Sequence, residues 1–422
     1  MNPRVRLILQ LATRNVRRQA RRSVLTALAM VLGVAVLAFA RTLGDGGHED
    51  WIDAGVRLGT GHIALQAPRF QASRNLNDRL GADARARATA WLREPWVRER
   101  VVAVAPRLEI QGLASSAAAA VPIMVTGVDP AIETEFSRLG DNVIEGAYLS
   151  PDDRLHAFVG ERLASRLELQ IGSRLVLSAQ DASGEIASQL VRVAGIFRIG
   201  LPEADAGMVQ IPIRTAREWL GLGDDVTTLA VLLESGWVVD EVLRDLRGLA
   251  AGDAEVAVVG WREAMPELDA AIRMDDWGDY VFNFVLYGII TLAIVNTVLM
   301  SVLYRTREFG VLQALGLTRG QTAAVVVTEG MILTAVSGLV GLGLGLGLTW
   351  LLFRNGLDYS AMLDSEFTFS GVVLDPVIIP AFRWQQVGRS LVAIAVVGTL
   401  ASLYPAYRAT RIDVAEATKF EA

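Results

Sequence analysis

The sequence predicts a membrane α-helical protein with four transmembrane helices, carrying outside the membrane an α+β domain with an inserted β-rich subdomain. Three observations predict it. Apolar stretches at 23–40, 280–304, 322–353 and 390–407 approach or exceed the roughly 20 residues that cross a bilayer core as helix, and Glu329 is their only charge. Arginines crowd residues 4–22, 305–319 and 408–411, which the positive-inside rule assigns to the cytoplasmic side. Residues 41–279 contain no stretch apolar enough to span, so a chain that is 52% hydrophobic still holds a large water-facing segment.

Residues 1–22 carry Arg4, Arg6, Arg14, Arg17, Arg18, Arg21 and Arg22, while Val5, Leu7, Ile8, Leu11 and Val16 can form an apolar strip. A cytoplasmic amphipathic helix fits both facts, and a plain positive flank fits the charges alone. Residues 23–40 make the first span. Ala38-Phe39-Ala40 has the small-x-small pattern of a signal-peptide cleavage site, but the apolar run is longer than the roughly 7 to 15 residues of a signal h-region, which favours a retained span.

Residues 41–279 then fall outside. Gly61-His-Ile-Ala-Leu-Gln-Ala reads as an alternating strand, 83–100 as a helix interrupted at Pro95, and 101–105, 108–113 and 121–128 as strands. A β-rich insertion is expected at about 140–215, with a short helix ending near Leu169, a turn at Gly172 and strands at 190–197 and 209–213. Thr215 is the expected cap of a helix through Leu220. A strand at 228–233, a helix at 238–249 and a strand at 255–259 complete the outer module around the insertion.

The second span, 280–304, leads into a short basic joint, 305–321, in which Phe309, Leu312, Leu315 and Gly316 recur at helical spacing among Arg305, Arg307, Glu308 and Gly310. This reads as a small amphipathic helix at the inner membrane surface. The third span, 322–353, holds Gly341, Gly343, Gly345 and Gly347 at small-xxx-small spacing, which lets helices approach closely. Glu329 in the same span reads either as a proton or ion relay or as a structural group near the cytoplasmic joint. Residues 354–389 return outside, 390–407 form the fourth span, and 408–422 are a cytoplasmic tail.

The joint Arg305-Thr-Arg-Glu-Phe-Gly-Val-Leu-Gln-Ala-Leu-Gly316 resembles the segment "RTREIGVLRALG" of membrane subunits in the MacB/FtsX/LolC-LolE superfamily of ABC transporters. The resemblance covers nearly the whole chain. Gly59-Thr-Gly-His-Ile63 is similar to the "GxGHI" of lipoprotein-releasing permeases, Val159 to Ala164 to their "GxxLA", Ile199-Gly200 with Asp205 to their "xTGxxxxD", and Gly260-Trp261-Arg262 through Ile272 to their lead into the second span. The tail from Pro405 through Ala417 resembles the family's "PAxRAaRldPxeaLr". The joint departs from the releasers' "RREIAILRTMG" toward the MacB/FtsX form.

The resemblance implies a permease subunit in the bacterial inner membrane with its large domain in the periplasm. Arg305, Arg307, Glu308, Phe309, Gly310, Leu312, Leu315 and Gly316 would dock on a separate ABC ATPase that carries ATP and Mg²⁺, and no cofactor is expected in this chain. A second permease subunit, identical or paralogous, would complete the assembly. The cargo it implies is a lipoprotein passed to a periplasmic carrier; drug or peptide efflux and activation of a cell-wall hydrolase are the alternatives. Leu32, Phe39, Phe282 and Val285 are candidates for the cargo wall, although membrane lipids alone would ask for the same apolar faces. A membrane-anchored sensor is the reading from another class.

Composition narrows the chemistry. The net charge of −6 offers no basic surface for nucleic acid, and the absence of cysteine removes disulfides and thiolate chemistry. The single lysine, Lys419, lies in Ala-Thr-Lys-Phe, so no P-loop is present and this chain is not the ATPase. His48, His62 and His156 lack metal-ligand spacing. The acidic residues Glu203, Asp205, Asp224 and Asp225 read as solvated surface, with Ca²⁺ binding the distant alternative because EF-hand spacing is missing.

Overall fold

Arg41, Asp45 and the pair Gly46-Gly47 end the first apolar stretch, yet the first helix, α1 (Ala20–Leu58), runs through them for 39 residues. The expected end of the first span at residue 40 therefore falls inside a helix. Gly46 serves close packing: a Cβ there would stand 2.2 Å from the Ile379 carbonyl oxygen, and nearby Ala381 donates its N–H to the Thr42 carbonyl at 3.2 Å. The computed structural model describes residues 20–200, 202–358, 368–369, 372–373, 377–382 and 384–411. The expected amphipathic helix at 1–22 thus lies almost wholly outside the described residues, as does the tail beyond Arg411. Two compact units form, one from Met1–His48, Met274–Asp358 and Val377–Ala422, the other from Glu49–Arg273 and Tyr359–Pro376.

The second unit is built on a sheet. In chain order its main elements are β1 (Ile63–Gln66), α2 (Ala82–Trp91), β2 (Val101–Ser115), β3 (Ala120–Val128), α3 (Pro130–Phe136), β4 (Val143–Gly146), β5 (His156–Gly160), β6 (Arg174–Gln180), β7 (Ile186–Phe197), β8 (Met208–Pro212), α4 (Ile213–Leu220), β9 (Thr228–Leu233), α5 (Val239–Leu249) and β10 (Ala257–Gly260). The strands run β10-β1-β9-β2-β3-β8-β5-β7-β4, with β6 bridging β2 and β7. β1 pairs on both sides, with β10 and β9, and all four of its residues are buried, so the expected alternation is lost.

Pro106 splits the expected strands 101–105 and 108–113, but β2 is one strand of 15 residues. Its first part pairs with β9 as far as Arg107, and from Leu108 onward it pairs with β3 and then also β6. The proline sits beside this change of partner, where a missing N–H is tolerated. The β-rich insertion shares ladders and core with its surroundings: Leu175, Leu177 and Val191 pack in the same cluster as Ile63, Leu65 and Val231. A smaller cluster gathers Val128, Leu139, Leu149, Phe158, Phe197 and Ile199, with the Phe158 ring 5.0 Å from both Tyr148 and Phe197. Thr215 is not the cap of its helix. α4 starts at Ile213, and the Thr215 hydroxyl donates to the Arg154 carbonyl.

His62 is fully enclosed, and its Nδ1 accepts the Leu233 N–H at 3.1 Å, which puts the ring proton on Nε2. Burial lowers its pKa from 6.5 to about 4, Asp53 opposing and Arg57 assisting. Between those values the unfolded chain takes up a proton that the native imidazole refuses, so stability falls as pH drops through this window, by about 3 kcal/mol in all. Thermal unfolding of the full chain at pH 7 and pH 4.5 should show the loss, and His62→Gln should flatten it. An unchanged pH slope in that variant assigns the effect elsewhere.

The first unit is helical. It holds the amino-terminal part of α1 and, in order, α6 (Pro266–Tyr304) from Met274, α7 (Thr306–Ala314), α8 (Arg319–Phe353) and α9 (Trp384–Thr410). Among the described residues α1, α6, α8 and α9 are the helices long and apolar enough to cross a membrane. α6 begins well before the apolar stretch at 280, as α1 ends well after residue 40. Met30, Val34 and Leu37 of α1, Ile290, Ile294 and Val298 of α6, Val326 and Leu342 of α8, and Ile394, Ala401 and Ala406 of α9 form one core.

The candidate coupling site

Between the second and third spans the chain must stop one helix, form a short one and start another. Arg305 alone separates α6 from α7, its backbone leaving the helical region at φ −111°, ψ 17°. Gly316 adopts φ +102°, a conformation that favours glycine, and turns the chain out of α7. Thr318 then caps α8: its hydroxyl accepts the Gln321 N–H at 3.3 Å while the Gln321 side chain accepts the Thr318 N–H at 2.9 Å.

The structure sorts the expected docking residues into two sets. Phe309 is 1% exposed, packed with Val302, Val326 and Ala409, and Gly310 is buried beside it. Arg305 is buried as well. Its Nη1 donates to Glu329 Oε2 at 3.1 Å and its Nε to Glu308 Oε2 at 2.8 Å, and its guanidinium lies 5.1 Å from the Phe309 ring centre. These three are corrected from docking surface to interior, because a helix this short lying against spans must spend one face on them. Arg307, Glu308, Leu315 and Gly316 are exposed, Leu315 to 80%, and Leu312 is half-buried. Val311, also exposed, extends this face, and its position one turn before Leu315 was the signal available in the sequence.

Glu329 is buried and held. Besides Arg305 it accepts the Ser301 hydroxyl at 3.2 Å, so it ties α6 to α8 at the ends nearest α7. The glycine ladder is likewise divided. A Cβ on Gly341 would stand 2.6 Å from the Val31 carbonyl oxygen, and one on Gly345 2.5 Å from that of Ala35, so these two seat α8 against α1. Gly343 and Gly347 meet nothing within 4 Å among the described residues, since two residues turn a helix by roughly 200° and point them away from α1. Small residues also join α8 to α9, where a Cβ on Gly398 would be 2.4 Å from Thr334 and one on Gly330 2.0 Å from Ser402.

Of the expected cargo wall, Leu32, Phe282 and Val285 are exposed, in line with Leu28 and Val36 on α1 and with Ile289 on α6. Phe39 is half-buried, its ring 5.8 Å from that of Phe353. In the other unit Asp205 is not solvated surface: it is buried and accepts the Ile199 N–H at 3.0 Å. Burial pushes its carboxyl up, offset in part by the Ile199 and Gly200 N–H groups. The pattern Ile199-Gly200 to Asp205 is thus a loop closure. Asp225 pairs with Arg79 at 2.7 Å, and among the described residues no group of three or more acidic or histidine side chains is placed to hold a metal ion.

Family descriptions match along the same lines. The FtsX-like permease C-terminal family matches residues 280–414, and the MacB-like periplasmic core domain matches residues 23–249, more than half of the 422. The chain belongs to the MacB/FtsX/LolC-LolE superfamily of ABC transporter permeases. The lipoprotein-releasing system transmembrane protein LolC of Xylella fastidiosa (strain 9a5c) is 26% identical over 336 residues, 76% of this chain and 78% of that one. The macrolide export ATP-binding/permease protein MacB of Bdellovibrio bacteriovorus is 26% identical over 130 residues, 31% of this chain and 17% of that one. The periplasmic region of MacB from Actinobacillus actinomycetemcomitans aligns with 53% of this chain and 94% of its own at 12% identity, with a TM-score of 0.34. In this permease the FtsX-like match takes in α7 and the interior set around Arg305, and the MacB-like match takes in Gly59, His62 and Asp205.

Proposed function

We propose that this permease sits in the bacterial inner membrane with its large domain in the periplasm, and couples ATP hydrolysis by a separate ATPase subunit to movement of that domain in the release of lipoproteins. The observation that carries the coupling role is the two-sided α7. One face is fixed to α6 and α8 by Arg305, Phe309 and Gly310, and the other presents Arg307, Glu308, Val311 and Leu315. Such a helix can receive a partner without unfolding. ATP and Mg²⁺ belong on that partner, and a second permease, identical or paralogous, faces this one. α1 and α6 are each 39 residues long and run on as helix past the apolar stretches.

Lipoprotein release draws support from the LolC relative, whose alignment takes in three-quarters of this chain. Extracting an acyl chain from a bilayer costs about 0.8 kcal/mol per CH₂, which asks for an energy source and an apolar receiving wall. Leu32, Phe282 and Val285 supply such a wall. A hot-spot residue carries about 2 kcal/mol or more, so with one of the pair at such a spot Val311→Asp with Leu315→Asp should weaken ATPase co-purification by roughly 30-fold or more while the chain still inserts. Photo-crosslinkers at Leu32, Phe39, Phe282 and Val285 should capture a lipoprotein. Undiminished co-purification removes α7 from docking, and capture of lipid alone, with an efflux substrate accumulating in a deletion strain, favours efflux.

A further inference from the structure

We infer that Arg305 is the positioning residue of a rigid three-helix joint, clamping α7 so that any displacement of its exposed face is handed to α6 and α8 together. The inference rests on the coupling role proposed above. One guanidinium gathers all three helices: it follows the last residue of α6, donates to Glu308 of α7 at 2.8 Å and to Glu329 of α8 at 3.1 Å, and covers the Phe309 ring. The Arg305 and Glu329 side chains are only 6% and 9% exposed. Ser301 of α6 donates to the other Glu329 oxygen at 3.2 Å, so the carboxylate is held from two sides.

Farther along, Gln313 Nε2 donates to Thr322 Oγ1 at 3.4 Å, a second tie between α7 and α8. The backbone around the joint is fixed too. Arg305 donates its N–H to the Val302 carbonyl at 3.2 Å and accepts from the Phe309 N–H at 3.0 Å, which leaves little freedom for α7 to swing about residue 305. A guanidinium suits this place because its planar fork serves two carboxylates at once while its face lies on an aromatic ring, and no lysine could do all three. Without it, exposed Glu308 and buried Glu329 lose the cation they share, and the tie of α7 to α8 at this end is gone while that at Gln313 remains.

The test uses the full permease co-expressed with its ATPase in lipid nanodiscs, with an environment-sensitive fluorescent amino acid at Val285 of α6 reporting ATP-driven movement. Arg305→Gln should keep the ATPase bound and hydrolysing within about twofold of wild type, while the ATP-dependent signal falls at least about fivefold. The charge-exchanged pair Arg305→Glu with Glu329→Arg should regain part of it. Bridging position 313, carrying a genetically encoded thiol-reactive amino acid, to the buried Thr322→Cys should leave the signal intact, because a rigid joint loses nothing by being tied. That measurement decides alone where Arg305→Gln fails to insert. A full signal from Arg305→Gln, or a signal abolished by the bridge, overturns the clamp while docking stands. Failure of the wild-type chain to hold any ATPase overturns the docking reading, and the clamp with it.

Discussion

Gly345→Ala is expected to destabilise the helical unit by about 2 kcal/mol, whereas Gly347→Ala, only two residues on, is expected to stabilise its helix by up to about 1 kcal/mol. The first substitution adds a methyl group 2.5 Å from the Ala35 carbonyl oxygen and 2.8 Å from the Ala38 Cβ, atoms that belong to the facing helix and have no rotamer to yield with. α8 must lift off α1, and the contact at Gly341 on the Val31 carbonyl opens with it. The second adds the same methyl where nothing among the described residues lies within 4 Å, and removes only the backbone entropy of glycine. Thermal inactivation of the detergent-solubilised chain, followed by size-exclusion and tryptophan fluorescence, should separate the two in opposite directions. Equal melting of both variants removes the α1–α8 seam as the reason for these glycines. Marked destabilisation by Gly347→Ala would point to a second chain against that face.

The pattern in these glycines shows what could be read from the sequence and what could not. Their spacing announces close helix approach, but which pair makes it depends on the rotation of α8, and an apolar residue on either side gives no clue. The four spans were legible because long uncharged runs and clustered arginines are global signals. Their helical ends were not, since α1 and α6 continue as mixed polar helices where hydropathy stops, through Arg41 to Leu58 and from Pro266 to Asp279. Membership of the superfamily was legible from the joint at 305–321. Within it, the inward turn of Arg305 and the outward turn of Arg307 were not read, although the single charge of the third span, Glu329, calls for a buried cation nearby. Asp205 was misjudged because a residue's usual place, acidic outside, gave way to a loop that needed it, and the strands expected at 101–105 and 108–113 are one because the ladder with β9 runs on through Pro106.

Arg107→Met should cost the large domain about 3 to 5 kcal/mol, and adding Glu133→Leu should restore most of it. The Arg107 and Glu133 side chains, 4% and 1% exposed, pair in the interior of the unit, with the guanidinium 4.6 Å from the Phe136 ring centre and its Nη1 donating to the Gly59 carbonyl. That contact fastens the chain just beyond Leu58, the last residue of α1, to β2 and α3. The pair is incompletely satisfied: among the described residues Arg107 Nε and Glu133 Oε2 are buried without a hydrogen-bond partner, so its net contribution is small even though breaking it is expensive. Removing only the arginine strands a carboxylate beside an aromatic ring. Removing both leaves two apolar side chains of similar reach in an already apolar setting. Thermal unfolding of the full chain in detergent, monitored by near-ultraviolet circular dichroism, should place the single variant about 10 °C below wild type in melting temperature and the double variant near it. A double variant as unstable as the single one would mean that the Gly59 contact, and not the buried charge, is what the domain needs, and that the end of α1 is held by that one donor.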